Sequence, residues 1–217
     1  MPESRLIAIG DIHGAVSALH RLLQQVEPGA DDTLLFLGDY VDRGEDSRAV
    51  LDALITLEQT HRCIFLKGNH EDMLLKAIQG GTEEWLIWLG NGGVTTLRDF
   101  DQALPPARYL SWLQRLDLSY ETDSHYYVHA GLLPGVPPAE STDMDRLWIR
   151  EPFLSSTYDW GKRVVFGHTV QLQGPLVQPN KIGIDTGACL PRMGRLTAMI
   201  LPTKQFVFSR GRARGFS

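Results

Sequence analysis

The sequence is poor in cysteine: Cys63 and Cys189 are the only two in 217 residues. They fit neither a zinc-site spacing nor a disulfide framework. The fold must therefore rest on its core, and Cys63, which opens an apolar run, reads as a small core residue. Long apolar stretches are also missing. None approaches the ~18 residues of a membrane span, so no membrane partner is expected. Pro2-Glu3-Ser4 leads straight into a strand pattern, which predicts no signal peptide and a reducing cytoplasm. Positive charge is in deficit, with 21 Lys and Arg against 26 Asp and Glu and a formal net charge of −5. Binders of nucleic-acid backbones are usually basic, so no nucleic-acid partner is expected. There is no repeat of fixed period and no low-complexity segment. A hydrophobic share of 43% is ordinary for a globular protein. Residues 1–217 are read as a single domain with a core large enough to need no staples.

What the sequence does have is one pattern used five times. An apolar, strand-like run stops beside glycine and presents a metal-type ligand. The clearest case is Leu34 to Gly44, where the run ends in Gly38-Asp39-Tyr40-Val41-Asp42-Arg43-Gly44. Ile7-Ala8-Ile9 ends in Gly10-Asp11-Ile12-His13-Gly14, and Ile64-Phe65-Leu66-Lys67 in Gly68-Asn69-His70-Glu71. Tyr126 to Val128 leads to His129-Ala130-Gly131, and Val164 to Phe166 to Gly167-His168. Glycine permits a tight turn and a close approach to a bound group. In open α/β sheets, ligands bind at the carboxyl ends of strands.

The intervening segments set the order of elements. Val16, Leu19, Leu22, Leu23 and Val26 recur at helical spacing, as do Val50, Leu51, Leu54 and Leu57, with Ser47 placed to cap the second helix. The first half therefore reads β-α-β-α-β, a parallel sheet with right-handed crossovers. Helices are expected over Glu71–Gln79, Glu83–Leu89 and Ala107–Arg115, with Asn91-Gly92-Gly93 as a turn and the tryptophans of this block as packing residues. The second half predicts a hairpin, Leu118–Glu121 with His125–Val128. Strands follow at Arg163–Phe166, Lys181–Ile184, Leu196–Leu201 and Gln205–Ser209, forming a mixed or antiparallel sheet. The tail Arg210 to Gly215 reads as a solvated end. His20, His61 and His125 read as ordinary histidines, and Asp185 as part of a strand-end turn.

The donors Asp11, His13, Asp39, Asn69, His129 and His168 combine hard oxygen with imidazole. That set suits manganese, iron or zinc better than calcium or copper(I). Six donors exceed what one catalytic ion with open positions needs. They suit two ions sharing a carboxylate, which at ~3.5–4 Å apart clamp the oxygens of an in-line phosphoryl displacement.

The motifs Gly10-Asp11-Ile12-His13-Gly14, Gly38 to Gly44 and Gly68-Asn69-His70-Glu71, completed by His129-Ala130-Gly131 and Gly167-His168, resemble the signature of the calcineurin-like metallophosphoesterases, in their phosphoprotein phosphatase branch. Length and motif spacing resemble the small bacterial and lambda phage protein phosphatases. The resemblance runs from Ile7 to about Leu201. It implies a sandwich of two mixed sheets flanked by helices, four layers in the order α/β/β/α. It also implies two divalent metal ions, manganese first, with iron or zinc as substitutes. Asp11 and His13 would hold the first ion, Asp39 both, and Asn69, His129 and His168 the second. His70 matches the catalytic histidine, Asp42 its carboxylate partner, Arg43 a phosphate-binding arginine, and Arg150 in Trp148-Ile149-Arg150-Glu151 a second one.

Physical chemistry agrees with those roles. The planar guanidinium fork suits phosphoryl oxygens, histidine has the pKa range to protonate a leaving alkoxide, and a carboxylate fixes a histidine's tautomer. Asp42 also fits a cap of the turn before Gly44, and Arg43 and Arg150 fit structural ion pairs; the chemical roles are favoured. The expected function is metal-dependent phosphomonoester hydrolysis on phosphoserine, phosphothreonine or phosphotyrosine in proteins, by attack of a hydroxide between the metals. The alternative is symmetrical diadenosine tetraphosphate hydrolysis. Members of that hydrolase family typically show Val-Ala-Arg-Gly and Gly-Asn-His-Asp, where this chain has Val41-Asp42-Arg43-Gly44 and Gly68-Asn69-His70-Glu71. A non-catalytic scaffold is the third reading, and it would be expected to have lost His70 or a ligand. Segments Gly80 to Gln102 and Leu132 to Thr157 are expected to frame the cleft.

Overall fold

A computed structural model describes residues 4–216. Strand β1 (Leu6–Ile9) leads through the first ligand loop into helix α1 (Val16–Val26), which buries Ala18, Leu19, Leu22 and Val26. Glu27, in the left-handed region with φ 45°, ends that helix, its N–H donating to Leu23 O. Then come β2 (Thr33–Phe36), α2 (Ser47–Leu57) and β3 (Arg62–Phe65). The cap of α2 is Asp46, not Ser47: its carboxylate accepts the Ala49 N–H at 2.8 Å. Ser47 is engaged elsewhere, accepting the Asp42 N–H at 3.0 Å.

Helix α3 (Asn69–Gln79) begins two residues before the expected start, so Asn69 and His70 lie in its first turn rather than on the strand end. Helix α4 (Thr82–Trp88) runs into a wide turn at Leu89–Gly93, kinked at Gly92 with φ 113°. Two helices follow: α5 (Val94–Asp99), which the sequence patterns did not predict, and α6 (Ala107–Gln114). The second half supplies the antiparallel pair β4 (Ser119–Glu121) and β5 (His125–Val128). An unpredicted helix α7 (Asp143–Trp148) comes next, then β6 (Arg163–Phe166), β7 (Leu176–Val177) and β8 (Lys181–Gly183). Strands β9 (Thr197–Leu201), β10 (Gln205–Phe208) and β11 (Arg214–Gly215) close the chain.

These strands form two mixed sheets, ordered β11-β10-β9-β1-β2-β3 and β4-β5-β6-β8-β7. The parallel β1-β2-β3 core is as expected, with Ile7 opposite Leu34 and Leu34 opposite Cys63. The mixed character of both sheets is as the family resemblance implied. Strand β9 returns antiparallel to β1, Ile7 opposite Ile200, and β10 and β11 extend that edge. The tail Arg210 to Gly215 is exposed, as expected, though its end pairs as a strand, and the Arg214 guanidinium lies 5.8 Å from the Phe208 ring centre.

Strand periodicity assigns the faces. Ile7 and Ile9 face the helices with Leu19, Leu51 and Leu74. Ala8, Leu35, Val165, Ile182 and Met199 meet between the sheets. Val164 and Phe166 face outward under Phe153 and Trp160, where the segment after α7 forms a thin outer layer. Each fully buried Leu, Ile or Val contributes roughly 1.5–3 kcal/mol. This packing holds the carboxyl ends of β1, β2, β5 and β6 at one rim.

Candidate active site

At that rim Asp11, His13, Asp39, Asn69, His70, His129 and His168 converge, each at most 7% exposed. Asp39 is the centre. Its Oδ2 lies 3.3 Å from His13 Nε2 and its Oδ1 lies 3.5 Å from His129 Nε2. Two groups of donor atoms lie within 4.8 Å of one another, His13–Asp39–His70 and Asp39–His129–His168, and Asp39 belongs to both. Asn69 Oδ1 sits 2.9 Å from His129 Nε2 and 3.0 Å from His168 Nδ1. Asp11 approaches from the far side, its Oδ2 accepting the His168 N–H at 2.9 Å.

The tautomers follow from backbone partners. Nδ1 of His13 faces Val41 O at 3.0 Å and Nδ1 of His129 faces Leu37 O at 2.9 Å, so each donates there and turns the Nε2 lone pair inward. Burial drives the pKa of His13 and of His168 down to about 3 and lowers that of His129, which keeps these rings neutral and able to ligate. Burial raises the Asp11 carboxyl well above its ordinary range. Burial acts upward on Asp39 too, but His129, His70 and His13 outweigh it and hold this carboxyl low. Asp11 Oδ1, His70 Nε2 and His168 Nε2 are buried without a hydrogen-bond partner. Buried polar atoms rarely stay unpaired, and these residues fit a pair of divalent cations with Asp39 between them.

The loops that deliver the ligands are strained. His13, Asp39, Asp42, Arg43 and His168 all have positive φ, between 48° and 70°. Left-handed backbone costs a residue with a side chain roughly 1–2 kcal/mol, and such strain gathers at functional sites. Glu71 compensates. Fully buried, it accepts N–H groups from Asp39 and Tyr40 at 2.8 Å, Gly68 at 2.9 Å and Val41 at 3.3 Å. Burial and the nearby Asp39 push its carboxyl up to about 7. Two glycines are fixed by close approach: a Cβ on Gly68 would meet Asp39 Oδ1 at 2.1 Å, and one on Gly167 would meet Asp11 Oδ1 at 2.0 Å.

His70 Nδ1 and Asp42 Oδ2 are 2.8 Å apart, both residues fully buried. Burial opposes the charged form of His70, and Asp39 with Asp42 overcomes it, so its pKa is raised. Arg43 is exposed, with Nη1 3.0 Å from His13 Nε2 and its Nε–H donating to Asn91 O at 3.3 Å. Arg150, exposed just beyond α7, is near enough for its charge to lower the pKa of His129 and His168. Among the described residues neither arginine has a carboxylate partner, so both are available to an anion.

His13, Asp39, Asn69, His129 and His168 are brought together, as are His70 and Asp42; Asp11 joins them through the His168 N–H, and His70, not Asp11, completes the donor group of His13 and Asp39. Three contributions were not anticipated. Glu71 reads in sequence as a motif residue without a task. Trp88 and Thr96, from the helical block taken as packing, donate to the Asp42 carboxylate. Asp185, taken as a turn residue, does accept the Gly187 N–H, but it is also buried, its carboxyl pushed up to about 6 by that burial, and its charge acts on Asp11.

A two-sheet α/β sandwich with this cluster at its rim defines a metallophosphoesterase. The Calcineurin-like phosphoesterase family model matches residues 4–172, and the chain belongs to that family, whose members use a dinuclear metal site. It is 34% identical over 140 residues to a symmetrical bis(5'-nucleosyl)-tetraphosphatase of Janthinobacterium sp. (strain Marseille), an alignment covering 64% of this chain and 48% of that protein. The chain thus spans about half the length of the tetraphosphatase relatives it matches first. It is 31% identical to serine/threonine-protein phosphatase 2 of Salmonella typhimurium, over 83% of this chain and 86% of that one. Among solved structures, a protein provisionally assigned as a diadenosine tetraphosphatase superposes with a TM-score of 0.76 at 26% identity, covering 94% of this chain and 92% of that one.

Proposed function

We propose that this metallophosphoesterase is a single-domain hydrolase of dinucleoside tetraphosphates, the reading expected second from sequence. The observation that carries it is the nearly end-to-end likeness to the structure provisionally assigned as a diadenosine tetraphosphatase. Of the two motif differences that favoured phosphoproteins, that at Glu71 loses its weight, because Glu71 is fully buried and occupied by backbone N–H groups. Asp42 is also fully buried and bears on the substrate only through His70.

In this reading Asp11 and His13 would hold one cation, Asp39 both, and Asn69, His129 and His168 the other, a donor set that manganese, iron and zinc all tolerate. The bound ions would supply Lewis-acid charge and a water of lowered pKa. Arg43 and Arg150 grip phosphoryl oxygens where negative charge accumulates. His70 Nε2 donates a proton to the leaving oxygen, and Asp42 holds the opposite ring nitrogen. The two cysteines, free thiols in the structure, accord with the proposed cytoplasmic location.

Phosphoprotein dephosphorylation is the second reading, favoured by the His70–Asp42 pair. An alkoxide leaving from serine or threonine needs protonation far more than a nucleotide does. Parallel assays of the purified, manganese-supplemented protein on diadenosine tetraphosphate and on a phosphoserine peptide separate the two. Release of ADP from the dinucleotide is expected. Turnover of the peptide alone would overturn the first reading.

A further inference from the structure

The Asp42 carboxylate is held from more directions than a simple histidine partner requires. Its Oδ2 accepts from His70 Nδ1 at 2.8 Å and its Oδ1 from the Thr96 hydroxyl at 2.6 Å. The Trp88 Nε1–H is shared between the two oxygens at 3.2 and 3.1 Å. Behind them, Ser47 Oγ lies 3.0 Å from Thr96 Oγ1, and both oxygens accept the Asp42 N–H. Asp42, Ser47, His70, Trp88 and Thr96 are all fully buried. Among the described residues Asp42 has no lysine or arginine partner, so its charge is met by the His70 ring and by these hydrogen bonds.

The chain's path makes this network possible. Trp88 ends α4 and Thr96 lies in the first turn of α5, and the kink at Gly92 folds both onto one carboxylate. The same turn holds the neighbouring residue, since Arg43 donates its N–H to Gly92 O at 3.4 Å and its Nε–H to Asn91 O at 3.3 Å. A carboxylate tied only to His70 could rotate about its own side chain. Thr96 on the opposite oxygen and Trp88 across both remove that freedom, and a reacting geometry tolerates only ~10–20° of error.

We propose that Trp88 and Thr96 are positioning residues for proton transfer, acting through Asp42 to aim His70 Nε2 at the leaving oxygen. The inference rests on His70 being the proton donor. As the oxygen of water bonds to phosphorus and releases a proton to solvent, the P–O bond to the leaving group breaks and its electron pair stays on that oxygen. The oxygen takes the Nε2 proton, and His70 is reprotonated from solvent. The more basic the leaving oxygen, the more the step depends on an aimed donor.

The test uses the manganese-loaded full chain and a series of dinitrophenyl, nitrophenyl and phenyl phosphates. Thr96→Val, nearly isosteric, and Trp88→Phe are expected to lower kcat about tenfold to hundredfold on phenyl phosphate. The loss on dinitrophenyl phosphate should be several times smaller, with KM little moved. Thr96→Ser should restore the wild-type dependence. Apart from turnover, the low-field proton resonance of His70 Nδ1–H in the zinc-loaded protein should shift in Thr96→Val and return in Thr96→Ser. If Trp88→Phe loses its fold, Thr96→Val alone decides. If His70→Asn itself shows equal losses across the series, the donor reading falls and this inference with it. If His70→Asn shows the leaving-group dependence while folded Thr96→Val does not, only the positioning role is overturned.

Discussion

Glu71 Oε2 accepts the Asp39 N–H at 2.8 Å, so the helix after β3 fixes the backbone of the residue, in the loop after β2, that both donor groups share. Four buried backbone donors converge on this one carboxylate. Glu71→Ala would strand them, at roughly 3 kcal/mol or more, since a buried unsatisfied group costs about 1–3 kcal/mol each. Urea unfolding should show that loss. Elemental analysis should show fewer than two metal equivalents, because Asp39 would relax from its positive φ.

Asp39→Asn should weaken metal binding more than any other single ligand change, because the two oxygens face different histidines. His70→Asn should keep both ions while kcat falls by ~10²–10⁴. A ring nitrogen of His70 lies within 4.8 Å of donor atoms of His13 and Asp39, so metal content measured beside kcat separates a proton donor from a ligand. Loss of an ion in His70→Asn would make it a ligand.

The proposed ligands could be named from sequence because each is local: an apolar run, a glycine and a donor within a few residues. The supports were not, because they depend on distance in space. Nothing within α4 or α5 signals that Trp88 and Thr96 meet a carboxylate 46 and 54 positions away. The return of β9 against β1 was equally hidden, since a short apolar strand carries no mark of its neighbour. Helix α5 was lost in the turn signal of Asn91-Gly92-Gly93, which the chain uses as a kink between helices.

Arg43→Lys and Arg150→Lys should each weaken inhibition by inorganic phosphate about tenfold to hundredfold, the equivalent of roughly 1.5–3 kcal/mol for a charge-assisted hydrogen bond. Lysine keeps the charge but not the fork. Phosphate titration against turnover measures the loss, and metal content should stay at two equivalents.

Asp32 predicts an acid limit to stability away from the rim. Burial alone would raise its carboxyl, but the Arg5 side chain at 3.0 Å, Gly29 N–H at 2.7 Å and Arg5 N–H at 2.9 Å pull it to about 2. A depressed folded pKa gives stability that is fully present above the unfolded value of about 3.9 and is lost as pH falls toward about 2. The contribution is about 2 kcal/mol. Denaturation midpoints from pH 6 to pH 2 should fall less steeply in Asp32→Asn.

The proposed ligand set straddles the seam of the sandwich: Asp11, His13, Asp39 and Asn69 follow strands of one leaf, His129 and His168 follow strands of the other. A cation gripped from both sides is a rivet as well as a reagent. Its affinity becomes adhesion between the leaves, so a chelator should pry the molecule open along its middle before it melts either leaf.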